Sequence, residues 1–520
     1  MKEIKRNGKW PLFRMIIPAF REINIFTPIA NKITALGPII IATVADKLWG
    51  WRAEVIDENN FHKGPRDGQD LPDHKTLQRE NPADVVGIFC SLSSTMERAW
   101  DIAKFYQNQG ATVIAGGYHT HSLPEESLKK GFDVVVHGEG ESVIQELLKA
   151  IRSKNSFSEI PNISYWQEAQ IKTNLPGKIE VSGLNDQPIP NFGLLRFAKV
   201  KIYPINRVRG CSMRCEFCAV RGKPHWVDSQ HLFEEVKWLV ETRRAQKFFI
   251  VDDNSREDCA GALEFFKKIS GKYGHSLEFT VQIRLEAAKD SILLTAMKNA
   301  GVRTVCIGYE SPIDEELKAM RKGYLSSDMV KWTKIFHSYG FFVHGMFIFG
   351  YPREKIPDKE ETAVTISAQE RFKRFKKFIR QCRLDTIQIL RPIPLPGTEL
   401  RSRLKKEGKI LPLSLVPWSK YDGSFVCFAP DNMTIRDLQE LPIKLMRWHY
   451  NPLSFFRIPI KTLAFPFDYL IRGWQRWYRG WRNDIFRYGG HLLIKQWLKR
   501  YEHQMFLKKL EKFQASRTQK

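Results

Sequence analysis

Over roughly the first 150 residues, short β-branched runs alternate with longer stretches whose apolar positions recur every three to four residues. The short runs at 23–28, 53–60, 83–92, 111–117 and 133–141 predict strands, and the stretches at 38–50 and 96–110 predict helices. Strand and helix in alternation predict a parallel sheet, whose ligands bind at the carboxyl ends of the strands. Those ends carry residues 57–60, 91–95, 116–119 and 137–141. A polar stretch with scattered Pro and Gly, 152–199, reads as a connector holding one short strand at 163–166. A second βα series starts at Val200, with strands expected at 200–207, 247–253, 278–284, 304–311, 341–350 and 386–394. Six such steps in about 200 residues suit a partial or full β/α barrel, whose chemistry sits at the same strand ends. Beyond about residue 400 the strand signal fades into Trp-rich, basic sequence.

The expected organisation is α/β: a Rossmann-like domain over 22–151, the connector 152–199, a barrel over 200–400 and a mostly helical, basic region over 401–520. With 43% hydrophobic residues in 520, the chain has ample material for buried cores and is not disordered as a whole. No apolar run approaches the roughly 18 residues of a membrane span. The most apolar region, 453–471, is interrupted by Arg457, Pro459, Lys461, Pro466 and Asp468. The basic N-terminus is too Pro-broken for a signal peptide, so the expected location is the cytoplasm.

Net charge is +25, and it is unevenly placed. Residues 22–150 hold 12 Lys and Arg against 18 Asp and Glu, whereas 444–520 hold 17 against 4, together with five of the 14 tryptophans. On a helix through that tail, Phe467, Leu470, Trp474, Trp477, Trp481, Ile485 and Tyr488 share one face while Arg472, Arg476, Arg479 and Arg487 lie opposite. That face is expected to lie on an anionic membrane surface, the alternative being a helix that covers the barrel with a solvated basic face. The stretch 368–383, with Phe372, Phe375 and Ile379 on one side, reads instead as an outer barrel helix.

Eight cysteines are too few for a disulfide scaffold, and three crowd into eight positions as Cys211-Ser-Met-Arg-Cys215-Glu-Phe-Cys218. Three thiolates on one loop hold three corners of a [4Fe–4S] cube and leave the fourth iron open. The alternative is zinc, which needs a fourth ligand such as His225. The other five cysteines read as small buried hydrophobes.

CxxxCxxC with Phe217 before the last cysteine, at the end of a first βα strand, resembles the radical SAM superfamily over residues 200–400. The resemblance implies that S-adenosylmethionine binds the open iron, and that one electron cleaves it to methionine and a 5′-deoxyadenosyl radical. It implies cofactor contacts at the strand ends from Asp253, Gln282, Arg284, Glu310 and Ser311, with the glycine-flanked strand 345–352 passing close to the adenine. Upstream, 91–95 (SLSST) and 116–120 (GGYHT) resemble elements of cobalamin-binding domains, which implies that Ser91, Ser93, Thr95, Gly116, Gly117 and His119 line a cobalamin site. Where that family carries Asp-x-His, this chain reads Asp57-Glu58-Asn59, so cobalamin is expected without a lower histidine ligand. Together the domains resemble cobalamin-dependent radical SAM enzymes, including hopanoid methylases and anaerobic tetrapyrrole cyclases. The expected activity is methylation, or another change, at an unactivated carbon of a hydrophobic substrate. A flavodoxin or ferredoxin is the expected reductant, and the cytoplasmic membrane face the expected place of work. A cyclase-type oxidation is the first alternative, and modification of RNA by a radical SAM protein the second. Nucleic acid is not expected as a partner: the radical SAM enzymes that modify tRNA by methylthiolation carry three further N-terminal cysteines, and residues 1–200 hold only Cys90.

Overall fold

A run of six buried residues, Leu12–Ile17, forms the first strand, β1, and it carries an arginine at its centre. In this computed structural model, which describes residues 10–20, 27–174, 184–220, 222–352, 366–499 and 502–518, Arg14 is wholly buried. Its guanidinium donates to Glu54 at 2.6 Å on the neighbouring strand, to Gln78 at 3.1 Å and Tyr106 at 2.9 Å, and to the carbonyls of Leu77 and Asn81. Five acceptors satisfy a charge that would otherwise exclude the segment from a core. The first strand expected at 23–28 is not where the sheet begins: residues 23–26 lie outside the described residues, and Thr27–Ala30 is a helical turn.

The chain divides into two compact units. The first comprises residues 1–206, 225–245 and 395–397. Its strands β1, β2 (Arg52–Asp57), β3 (Val85–Phe89), β4 (Thr112–Gly116), β5 (Val134–Val136), β6 (Ile163–Gln167), β7 (Gln170–Thr173) and β8 (Leu195–Arg196) stand in the order β7-β6-β5-β4-β3-β1-β2-β8. All pairs are parallel except β5–β6 and β6–β7. Buried β-branched runs such as Val134–Val136 suit a sheet covered on both faces. From β1 the chain goes to β2 on one side and to β3 on the other, which opens a crevice at their carboxyl ends. The segment read as a connector supplies β6, the strand expected in it, and also β7 and β8, which the polar sequence conceals at the two opposite edges. Short strands Tyr203–Ile205 and His225–Trp226 and the helix Ser229–Arg243 also belong to this unit.

The second unit comprises residues 207–224, 246–394 and 398–520. Its strands β9 (Lys247–Ile250), β10 (Glu278–Gln282), β11 (Val302–Glu310), β12 (Phe342–Ile348) and β13 (Thr386–Leu390) are parallel and neighbours in sequence order. Among the described residues the series does not close on itself, which leaves a partial rather than a full barrel. The helix Ala368–Cys382 buries Phe375, Phe378 and Ile379, as an outer helix should.

At the amino end of the sheet Asp385 is fully buried. Its carboxylate accepts from the backbone N–H of Val343 at 2.7 Å, from Arg479 at 2.9 and 3.0 Å, and from Asn483 at 2.7 Å, with His337 3.3 Å away. Burial alone would raise its pKa, but His337 and Arg479 hold it far below the usual carboxylate range. This bolt fixes the long C-terminal helix Trp474–Leu498 to the sheet.

Candidate cluster loop and cofactor cradle

The cysteine loop leaves the short strand Val208–Arg209 at Gly210, whose positive φ of 77° and close approach to the Lys223 carbonyl oxygen, 3.0 Å from where a Cβ would stand, require glycine. Two carboxylates just past β9 tie down this entry. Asp252 accepts from the N–H groups of Arg207 at 2.6 Å and Val208 at 3.0 Å, and Asp253 accepts from Gly210 N–H at 2.8 Å. Ser212 donates through N–H and Oγ to Glu257, at 2.9 and 2.7 Å. Asp253, expected at the cofactor, is thus engaged in shaping the loop.

Between the second and third cysteines stands Glu216, which is buried. Its carboxylate takes a forked pair of bonds from Arg403, at 2.6 and 3.1 Å, and the hydroxyl of Tyr351 at 2.6 Å. Its carbonyl accepts from Leu400 N–H at 3.1 Å, and Phe217 meets the Tyr351 ring edge-on at 6.2 Å. The loop is therefore clamped from residues almost 200 positions away. Sequence reading missed Glu216, Tyr351 and Arg403; the one local signal is a carboxylate lodged between two thiolates, which calls for a cation.

Of the three thiols, none in a disulfide, Cys215 is buried and Cys211 and Cys218 are half-buried. Burial pushes the Cys211 thiol up, and Glu257 adds to this. Among the described residues no three His, Cys, Asp or Glu side chains converge on one ion. A cube does not ask for that, since each thiolate holds its own iron. His225, the fourth ligand a zinc site would need, belongs to the first unit and stands 2.7 Å from Glu139. Three thiols on one tethered loop fit a [4Fe–4S] cluster with an open iron.

The carboxyl ends of β10 and β11 supply the neighbouring rim. Gln282 is exposed, and Arg284 donates to Glu286 at 2.5 Å and toward the Lys322 carbonyl at 3.4 Å. Glu310 sits at a bulge with φ +60°, a conformation rare outside glycine, and accepts from the buried Lys322 ammonium at 3.1 Å. Burial alone would lower the Lys322 pKa, yet Glu310 holds it above its ordinary value. Ser311 is fully buried, donating to Glu316 at 2.6 Å and accepting from Ile313 N–H at 3.2 Å. Here it shapes the turn rather than facing the rim. The glycines of 345–352 likewise serve the core: a Cβ on Gly345 would stand 2.7 Å from Leu384, and one on Gly350 2.6 Å from Leu438. Lys322, which the sequence reading passed over, joins Arg284 and Glu310 in one polar group.

In the first unit the carboxyl ends of β3 and β4 are laced together. Cys90 N–H donates to Gly116 O at 2.8 Å, His119 N–H to Cys90 O at 3.1 Å, and Ser93 Oγ stands 2.9 Å from His119 Nδ1. Thr95 caps the turn through the Leu92 carbonyl at 3.0 Å. Ser93, Thr95 and His119 are buried, whereas Ser91 and Gly116 are half-buried. Nothing lies within 4 Å of where a Cβ on Gly116 or Gly138 would stand, so these ends form a cradle floored by backbone, as a flat corrin requires. A third glycine is needed for another reason. At Gly117, φ is 138° and a Cβ would fall 2.5 Å from Cys90 C and Ser91 N. Gly117→Ala should therefore cost about 1–3 kcal/mol from backbone strain before any clash is counted. The expected result is a lower unfolding midpoint and loss of retained cobalamin, followed by its visible absorbance after gel filtration.

Asn59 occupies the position of the family's histidine, and its amide is engaged structurally. It donates to Pro18 O and accepts from Phe20 N–H, both at 3.0 Å, joining the ends of β1 and β2. Glu58 beside it accepts from Ala19 N–H at 2.7 Å and pairs with Arg98 at 2.6 Å and His74 at 2.9 Å. No imidazole is offered from this turn.

Residues 27–148 match the B12 binding domain family and residues 205–366 the radical SAM superfamily. The chain is 27% identical over 362 residues to an uncharacterized methyltransferase of Pyrococcus horikoshii, covering 67% of this chain and 74% of that one. It is 23% identical over 430 residues to the bacteriochlorophyllide d C-8(2)-methyltransferase of Chlorobaculum tepidum, covering 75% and 85%. Its fold is similar to that of the radical S-adenosylmethionine methyltransferase TsrM of Kitasatospora setae, solved with cobalamin and a [4Fe–4S] cluster. The TM-score is 0.61 at 16% identity, with 76% of this chain and 75% of that one covered.

Proposed function

Because this chain belongs to the radical SAM superfamily and also carries a B12 binding domain, we propose that it is a cobalamin-dependent C-methyltransferase acting on an unactivated carbon of a hydrophobic, lipid-like substrate. The observation that carries the reading is the loop of three thiols, none in a disulfide, tethered by Glu216, Asp253 and Glu257. When bound, the cluster, S-adenosylmethionine and cobalamin supply the electron, the 5′-deoxyadenosyl radical and the methyl group. The chain's own part is to hold and orient. Cys211, Cys215 and Cys218 hold the cluster, and Glu216 with Arg403 and Tyr351 fixes the loop. Gln282, Arg284, Glu310 and Lys322 present donors and acceptors suited to the amino and carboxylate groups of an amino acid. The strand ends at Ser91, Gly116 and Gly138 cradle cobalamin, leaving its lower face without a histidine. A low-potential flavodoxin or ferredoxin supplies the electron. The basic tail keeps the enzyme at an anionic membrane face, where such a substrate resides.

The test is anaerobic reconstitution with cobalamin supplied, followed by turnover with S-adenosylmethionine deuterated at its methyl group. The expected outcome is a retained cobalamin spectrum, about four irons per chain, 5′-deoxyadenosine, and deuterium in an apolar extract. Protein that forms 5′-deoxyadenosine but retains no cobalamin and transfers no label would favour the cyclase-type oxidation instead.

A further inference from the structure

Gly473, with φ 75°, ends the helix Phe465–Arg472 and starts the helix Trp474–Leu498, so the tail is not one continuous helix. The chain doubles back there, and Trp477 and Trp481, expected on the lipid side, turn inward. Trp477 Nε1 donates to Lys461 O at 2.7 Å and Trp481 Nε1 to Thr462 Oγ1 at 3.1 Å, both on the preceding helix Leu453–Leu463. Phe465 packs on Trp477 with ring centroids 4.6 Å apart, and Phe455 on Tyr488 at 5.0 Å. Lys461 closes the hairpin on Gly480 O at 2.9 Å and on buried Asp484 at 2.5 Å.

Of the expected face Phe467, Leu470, Trp474 and Ile485 stay exposed, and a row from the preceding helix joins them. Leu453, Phe456, Ile460 and Leu463 recur at three- and four-residue spacing along one helix, and Phe467 and Leu470 continue on the next. Each is between 59% and 80% exposed. Six large apolar side chains bared within 18 residues is more than scattered surface hydrophobes explain. No described helix is long and apolar enough to cross a membrane. The surrounding charge selects the occupant. Residues 444–520 hold 17 Lys and Arg against 4 Asp and Glu, Arg457 is exposed within the ridge helix, and Asp484 is already neutralised by Lys461. A second copy would bring the same positive field, whereas a bilayer bearing anionic headgroups complements both the charge and the apolar ridge.

We propose that the ridge Leu453, Phe456, Ile460, Leu463, Phe467 and Leu470 seats in the headgroup–acyl boundary of an anionic bilayer, with the tryptophans stiffening the hairpin from inside. This rests on the reading that the enzyme works at a membrane face, and adds which side chains enter it. Full-length protein is mixed with vesicles of equal phosphatidylcholine and phosphatidylglycerol, or of phosphatidylcholine alone, and floated on a density gradient. Wild type should float with the anionic vesicles and much less with the neutral ones. Leu463→Ser with Leu470→Ser, checked by circular dichroism and iron content, should bind at least about tenfold more weakly, since each exposed leucine contributes on the order of 1 kcal/mol or more when buried. Trp481→Phe should bind like wild type. If the double variant floats as well as wild type, the ridge assignment fails while the membrane reading stands. If wild type floats with neither vesicle, both fail. A wild type that sediments as a dimer, while the double variant is monomeric, would overturn the proposal in favour of a self-interface.

Discussion

Replacing Cys215 by alanine should leave anaerobically reconstituted protein with essentially no iron and no 5′-deoxyadenosine formation. The loop supplies three thiols, each of which would hold one iron of the cube. Cys215 is the buried member of the three. Two half-buried thiolates would leave two irons of a cube without protein ligands. Iron per chain should fall from about four to near zero, while circular dichroism stays that of the wild type, because the loop remains held by Asp252, Asp253 and Glu257. Iron-replete, active Cys215→Ala would remove the basis of the functional reading.

Arg403→Met should destabilise the second unit by about 3–5 kcal/mol and loosen the cluster without touching a cysteine. Glu216 is buried, and its carboxylate is matched by the Arg403 fork and the Tyr351 hydroxyl. Removing the guanidinium leaves a desolvated charge with one side-chain donor. Arg403 also donates to Pro352 O at 3.0 Å, so the loss reaches the segment after β12. Arg403→Lys should fall between, since a lysine keeps the charge but not the planar fork. The double change Arg403→Met with Glu216→Gln should recover part of the loss, because the uncompensated charge goes with its partner. Denaturant midpoints and the rate at which a chelator strips iron would read this out; a single variant matching wild type in both would show that the clamp has no bearing on the loop.

Much of the topology could be read from the chain because parallel strands announce themselves as β-branched runs, and because CxxxCxxC is a local signal. Strand β1 escaped notice because Arg14 interrupts its apolar run, and its partners Glu54, Gln78 and Tyr106 are met only after folding. Strand β6 was legible as a short run, whereas β7 and β8 hide in polar sequence at the sheet edges, where exposure relaxes the pattern. Of the candidate site, the thiols are adjacent in sequence. Lys322 and Arg403 meet their partners across 12 and 187 residues, a separation that periodicity cannot bridge. Ser311, Gly345 and Gly350 have the residue types a cofactor rim would use, yet the same small size serves a turn and the core. The helical wheel failed at the tail because a periodic pattern carries no record of the reversal at Gly473.

Asp385 precedes β13, and the carboxylate that fixes Arg479 also holds Val343 near the start of β12. The cysteine loop, Gln282 and Glu310 belong to the opposite, carboxyl ends. A strand of five to seven residues separates the two levels by roughly 20 Å, about two-thirds of a bilayer's hydrocarbon thickness. On the proposed reading, an enzyme moored by that hairpin holds its cysteine loop above the surface, and a lipid-like substrate is drawn out of the leaflet before it is altered. Turnover should then track how fast an amphiphile escapes its vesicle, with short-tailed molecules outpacing long-tailed ones of identical headgroup.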